Sequence, residues 1–107
     1  MLLTDYIDKD LKKLEEKNPK EYRQLTIQLA QLEASRDKYP AKSERQFLGV
    51  STKYYRVLYK IEQDYIICLV LLKKQGRKIE NRHYGLAETR YKEFCKKLKD
   101  WKKSSKE

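Results

Sequence analysis

Histidine is almost missing from this 107-residue chain, which contains His83 and no other. Cysteine is limited to Cys68 and Cys95, glycine to three residues and proline to two. Each scarcity excludes something. Two isolated cysteines without CxxC spacing make neither a zinc site nor a disulfide framework, and read as buried free thiols in a reducing compartment. There is no HExxH, no GxSxG and no glycine-rich phosphate loop. The acidic residues fall mostly in helical segments, and no pair of them forms a metal site. No apolar run approaches the ~20 residues that cross a bilayer, and the opening MLLTDYIDKD is not a signal peptide. No internal repeat is present. The expectation is one soluble, cytoplasmic domain over residues 1–107, without membrane contact, cofactor or metal.

Positive charge is abundant and unevenly placed. Residues 1–72 carry 13 basic and 11 acidic side chains, whereas residues 73–107 carry 13 basic and 5 acidic. Most of the net +10 therefore lies in the last third, which favours a polyanionic partner on that side.

The stretch from Tyr54 to Lys74 organises the chain. Rich in Val, Ile, Leu and Tyr and free of Pro and Gly, it reads as two strands joined at Glu62-Gln63-Asp64. Tyr55, Val57, Tyr59 and Ile61 alternate with a face that carries Arg56 and Lys60. Tyr65 to Leu72 is apolar on both faces, the pattern of a central strand covered on both sides.

Before it, Thr4 or Asp5 caps a helix to about Lys17, with Leu3, Ile7, Leu11 and Leu14 as its buried stripe. Asn18-Pro19-Lys20-Glu21 restarts the chain as a second helix to about Arg36, with Asn18 as N-cap and Glu21 capping back. Its buried stripe is Tyr22, Leu25, Leu29 and Leu32. Tyr39-Pro40 ends the helical region. Ala41 to Glu44 reads as a polar connection, Arg45 to Val50 as a short strand and Ser51-Thr52-Lys53 as a hairpin turn. A basic loop follows Leu72, with Gly76 permitting a tight bend. A last helix starts near Glu80 and buries Tyr84, Ala87, Tyr91, Phe94, Leu98 and Trp101. The tail KKSSKE is expected to fray, its last few residues being disordered. The fold class is α+β: an N-terminal helical hairpin, a small antiparallel sheet and a C-terminal helix.

Any catalysis must come from Arg, Lys, Tyr and His83. Such groups suffice to cleave RNA without metal, because the 2′-hydroxyl attacks its own phosphate once a base takes its proton. Cations stabilise the phosphate charge, and an acid protonates the leaving oxygen. Each candidate also has a plain structural reading. Arg56 can pair with a helix carboxylate, and Lys73 and Lys74 can be a solvated strand end. Arg77 and Lys78 can be simple surface charge. Tyr84 can pack in the core, and the lysines from Lys96 onward can form a solvated face.

YYRVLYKI, then DYIICLVLLKK, a short basic loop, and a helix with Ala87 and Arg90 resemble, in that order, the RelE/ParE toxin superfamily. The likeness is nearest to its phage-derived HigB-like branch and covers about Leu48 to Phe94. The first strand of that fold would fall at Met1 to Leu3. The resemblance implies a bacterial toxin that cuts messenger RNA on the ribosome and is neutralised by a protein antitoxin. It places catalytic roles at Arg56, Lys74, His83 and Tyr84, and RNA contacts at Lys53, Lys73, Arg77, Lys78 and Arg82. The ParE branch inhibits gyrase instead, and a basic RNA-binding module without toxicity is the remaining alternative.

Overall fold

Tyr65–Lys73 forms the strand on which the rest of the fold is assembled, and residues 66 to 70 are buried without interruption. In this computed structural model, which describes residues 1–76 and 78–105, the strands are β1 (Leu2–Leu3), β2 (Lys42–Glu44), β3 (Phe47–Ser51), β4 (Tyr55–Glu62) and β5 (Tyr65–Lys73). The helices are α1 (Asp8–Lys17), α2 (Pro19–Ser35) and α3 (Asn81–Ser105). The sheet runs β1-β5-β4-β3-β2, with β1 parallel to β5 and the other pairs antiparallel. The α+β class and the helical hairpin agree with expectation. The sheet, however, is mixed and five-stranded rather than purely antiparallel.

Both added strands lie at the edges. Leu2 and Leu3 pair with Ile66 and Ile67, so Leu3 belongs to β1 and not to the stripe of the first helix. The polar Lys42–Glu44 pairs with Phe47, Leu48 and Gly49 and is a strand, not a connection. The chain between β1 and α1 turns through a 3-10 segment at Asp5–Ile7, and the Thr4 side chain makes no capping bond.

The sheet separates two cores. On one face Ile7 of the 3-10 segment and Leu14, Leu25, Leu29 and Leu32 of α1 and α2 pack against Val50, Val57, Tyr59, Ile66 and Cys68. On the other, α3 packs Tyr84 and Ala87 against Phe47, Leu58, Ile67, Leu69, Val70 and Leu72. Leu58 pairs with Val70 and Tyr59 with Cys68, so Leu69 is the extra residue of a β-bulge. The bulge reverses the phase of β5 beyond it. Leu72 then lies opposite Arg56 on the α3 side, and Lys73 lies opposite Tyr55.

Local signals explain the helical hairpin. The Asn18 side chain accepts from the Glu21 N–H at 3.2 Å, and Pro19 occupies the first turn of α2. Asn18→Ala should lower stability by about 1 kcal/mol, read as an earlier urea midpoint at unchanged slope. Glu21 does not cap back as expected. It is buried, and its carboxylate accepts the Tyr54 N–H at 3.1 Å. Past α2, Arg36 adopts a positive φ of 48° and donates to the Gln63 and Asp64 carbonyls, tying the helix end to the β4–β5 turn.

One expectation for α3 needs correction. The helix is described through Ser105, while Lys106 and Glu107, the end of the tail expected to fray, lie outside the described residues. Trp101 is 65% exposed and leaves the buried stripe, and Tyr91 and Phe94 are only partly buried. Among the described residues, no helix is long and apolar enough to cross a membrane.

Candidate functional site

β4, the end of β5, the loop after it and the start of α3 enclose a cleft of about 200 Å³. Arg56, Lys73, Lys74, Lys78, Arg82 and His83 all line it. Six of the nine residues expected from sequence are thus brought together. The loop turns at Gly76, whose φ of 73° is costly for any residue with a β-carbon. The cleft also meets the N-terminal end of α3, where the helix dipole adds positive potential.

Arg56 stands largely out of solvent. Its Nε donates to the Ser51 hydroxyl at 3.1 Å, and its Nη1 lies 3.2 Å from Glu44 Oε1. The carboxylate partner comes from β2, not from a helix as the sequence suggested. Oε1 lies off the hydrogen-bonding direction of its neighbours, so the contact is an ion pair and the oxygen keeps an unused acceptor. Lys42 adds a second cation at 3.8 Å, and the contact is close over Gly49, where a β-carbon would stand 3.3 Å from Glu44 Cγ and push it by a few tenths of an ångström.

Lys74 crosses from the strand end to the β3–β4 turn. Its backbone N–H donates to the Tyr54 carbonyl at 2.8 Å, and its ammonium donates to the Thr52 carbonyl at 2.7 Å. Partial burial lowers its pKa, helped by the charges of Arg56 and Lys42 and opposed by Glu21. Partial burial also lowers the pKa of His83, with Arg82 acting in the same direction and Glu80 against it. Arg82 is exposed and pairs with Glu80 at 2.8 Å, while Lys73 and Lys78 are exposed. The result is an imidazole kept neutral near pH 7 among several cations.

Two expected residues fall elsewhere. Tyr84 does not line the cleft: its hydroxyl donates to Glu44 Oε2 at 3.2 Å, and the Arg45 guanidinium lies 4.0 Å from its ring centroid. Burial and that hydrogen bond raise its pKa, which suits it to fixing Glu44 rather than to moving a proton. Lys53 lines a separate cavity beside Tyr54. Arg77 lies outside the described residues. Sequence reasoning missed Glu44, the hub of Arg56, Tyr84 and Lys42, because it was placed in a loop. Among the described residues, no three His, Cys, Asp or Glu side chains are grouped to hold a metal.

Comparison with known protein families, curated proteins and solved structures finds no match.

Proposed function

We propose that the cleft binds an RNA phosphate and cleaves the strand without metal, as a mRNA endoribonuclease of the RelE/HigB-like toxin class. In this reading a cognate protein antitoxin restrains it and the ribosome presents its substrate. One observation carries the proposal: five cationic side chains line the same cleft as a histidine whose pKa is held down. His83 takes the proton from the 2′-hydroxyl as the new O2′–P bond forms. Arg56, Lys73 and Lys78 stabilise the charge that builds on the phosphate. Lys74, acidified by its surroundings, protonates the departing 5′-oxygen as the P–O5′ bond breaks. The products are a 2′,3′-cyclic phosphate and a 5′-hydroxyl. The lysines along α3 raise the local concentration of polyanions, an effect that weakens with salt.

A second reading is favoured by the saturation of the strongest cations. Arg56 is engaged by Glu44 and Lys74 by the Thr52 carbonyl, an arrangement that also suits phosphate binding without cleavage. Induced expression in a bacterial host, with growth followed and messenger 5′ ends mapped in the same culture, separates the readings. Growth arrest with new in-frame breaks is the expected result. Arrest with intact messages would redirect the proposal to a protein target such as gyrase. Normal growth with folded protein present would leave an RNA-binding module.

A further inference from the structure

A second cavity, of about 390 Å³, opens behind the β3–β4 turn and lies outside the chemistry described above. Glu21, Gln24 and Gln28 of α2 form one wall, and Thr52, Lys53 and Tyr54 form the other. Tyr54 leaves 48% of its surface in solvent, and the Lys53 ammonium stands 5.2 Å from its ring centroid. An aromatic ring in that setting forgoes the stabilisation of burial.

The backbone beneath the ring is nevertheless held from both sides. The Tyr54 N–H donates to Glu21 Oε1 at 3.1 Å, and its carbonyl accepts from the Lys74 N–H at 2.8 Å. Glu21 is only 6% exposed, and a carboxylate is costly to bury without such a bond. The turn is thus fixed while the ring is presented.

Lys74 joins the two cavities. It lines the cationic cleft, and its backbone and ammonium both end on residues of this second wall, Tyr54 and Thr52. A strand whose phosphate rests at Lys74 would carry its next nucleotide over Tyr54. The ring face can stack on any base, and Lys53 can meet the following phosphate. Gln24 and Gln28 supply amides that can meet a base edge; Gln28 Oε1 already accepts from the Tyr39 hydroxyl, which leaves its NH₂ to donate.

We propose that this cavity is a base-stacking subsite for single-stranded RNA, holding the nucleotide adjacent to the phosphate in the cleft with its base against Tyr54. The proposal rests on the RNA reading of the cleft. A duplex keeps its bases stacked inside and does not satisfy it.

The test is fluorescence anisotropy with the full chain and two labelled probes, a 2′-O-methyl RNA octamer and the same backbone made abasic. The methyl groups remove the nucleophile, so binding is read without cleavage. Tyr54→Ala should weaken the base-bearing probe by roughly 5- to 100-fold and leave the abasic probe unchanged. Tyr54→Phe should bind like the natural chain, since the ring face is retained. Lys74→Ala should weaken both probes alike. If the natural chain binds both probes and Tyr54→Ala changes neither, the subsite is overturned while the phosphate cleft stands. If the natural chain binds neither probe, the RNA reading falls and the subsite with it.

Discussion

Arg56→Ala should lose about 3–5 kcal/mol of stability, enough to remove a large part of what a domain of this size possesses. Arg56 and Glu44 have side chains only 11% and 12% exposed, so the arginine's removal strands a carboxylate in a place water barely reaches. Ser51 also loses a partner, and Lys42, at 3.8 Å and largely solvated, replaces little of the lost charge. The double variant Arg56→Met with Glu44→Gln should recover most of the loss. It removes both charges and keeps an acceptor for the Tyr84 hydroxyl. Urea unfolding of the single and double variants measures the coupling directly. A single variant as stable as the natural chain would show that water compensates Glu44. The expectation bears on any activity measurement, because Arg56→Ala confounds lost chemistry with lost fold. Lys74→Ala is the cleaner probe: it forfeits one ammonium contact and keeps the backbone bond to Tyr54.

The same ion pair marks where the sequence stops being legible. β4 and β5 could be read because eight- and nine-residue strands are long enough for a period of two, or for a fully apolar run, to stand out. The start of α2 was legible because Asn18-Pro19 has a local physical meaning. β1 and β2 were not. They contain two and three residues, and pairing rather than composition makes them strands. β2 is wholly polar, and with it went the placement of Glu44 beside Arg56. The bulge at Leu69 was equally hidden, since an apolar run reads the same with or without an extra residue. Trp101 continues the spacing of three and four on α3 yet is largely exposed, which the spacing alone does not reveal. Of the site, Arg56, Lys74 and His83 were singled out through the family resemblance, and the structure places all three on one cleft. The exclusion of Tyr84 and the separation of Lys53 depended on contacts made by edge strands and by α2.

His83→Ala should cut RNA cleavage by about 10²- to 10⁴-fold with little change in RNA affinity, the outcome for a proton acceptor that contributes no binding charge. Its pH dependence has a defined sign. His83 is held below its ordinary value of 6.5 by burial and Arg82, so it remains an acceptor through neutrality. Cleavage should therefore fall on the acid side only as pH drops through that lowered value. Lys74, held below its ordinary 10.5, should set the alkaline limb, since its proton is the one delivered to the leaving oxygen. Stability gives an independent check. The unfolded chain binds the histidine proton more readily than the folded one. This contribution to stability is therefore complete above about pH 6.5 and lost as pH falls through the folded value. His83→Ala should abolish both the acid limb of cleavage and that segment of the stability curve. His83→Gln is the discriminating companion, because it keeps a polar side chain of similar reach and cannot accept the proton. Full activity in His83→Gln, with RNA still cut, would remove His83 from the reaction and move the search for the base to Lys74.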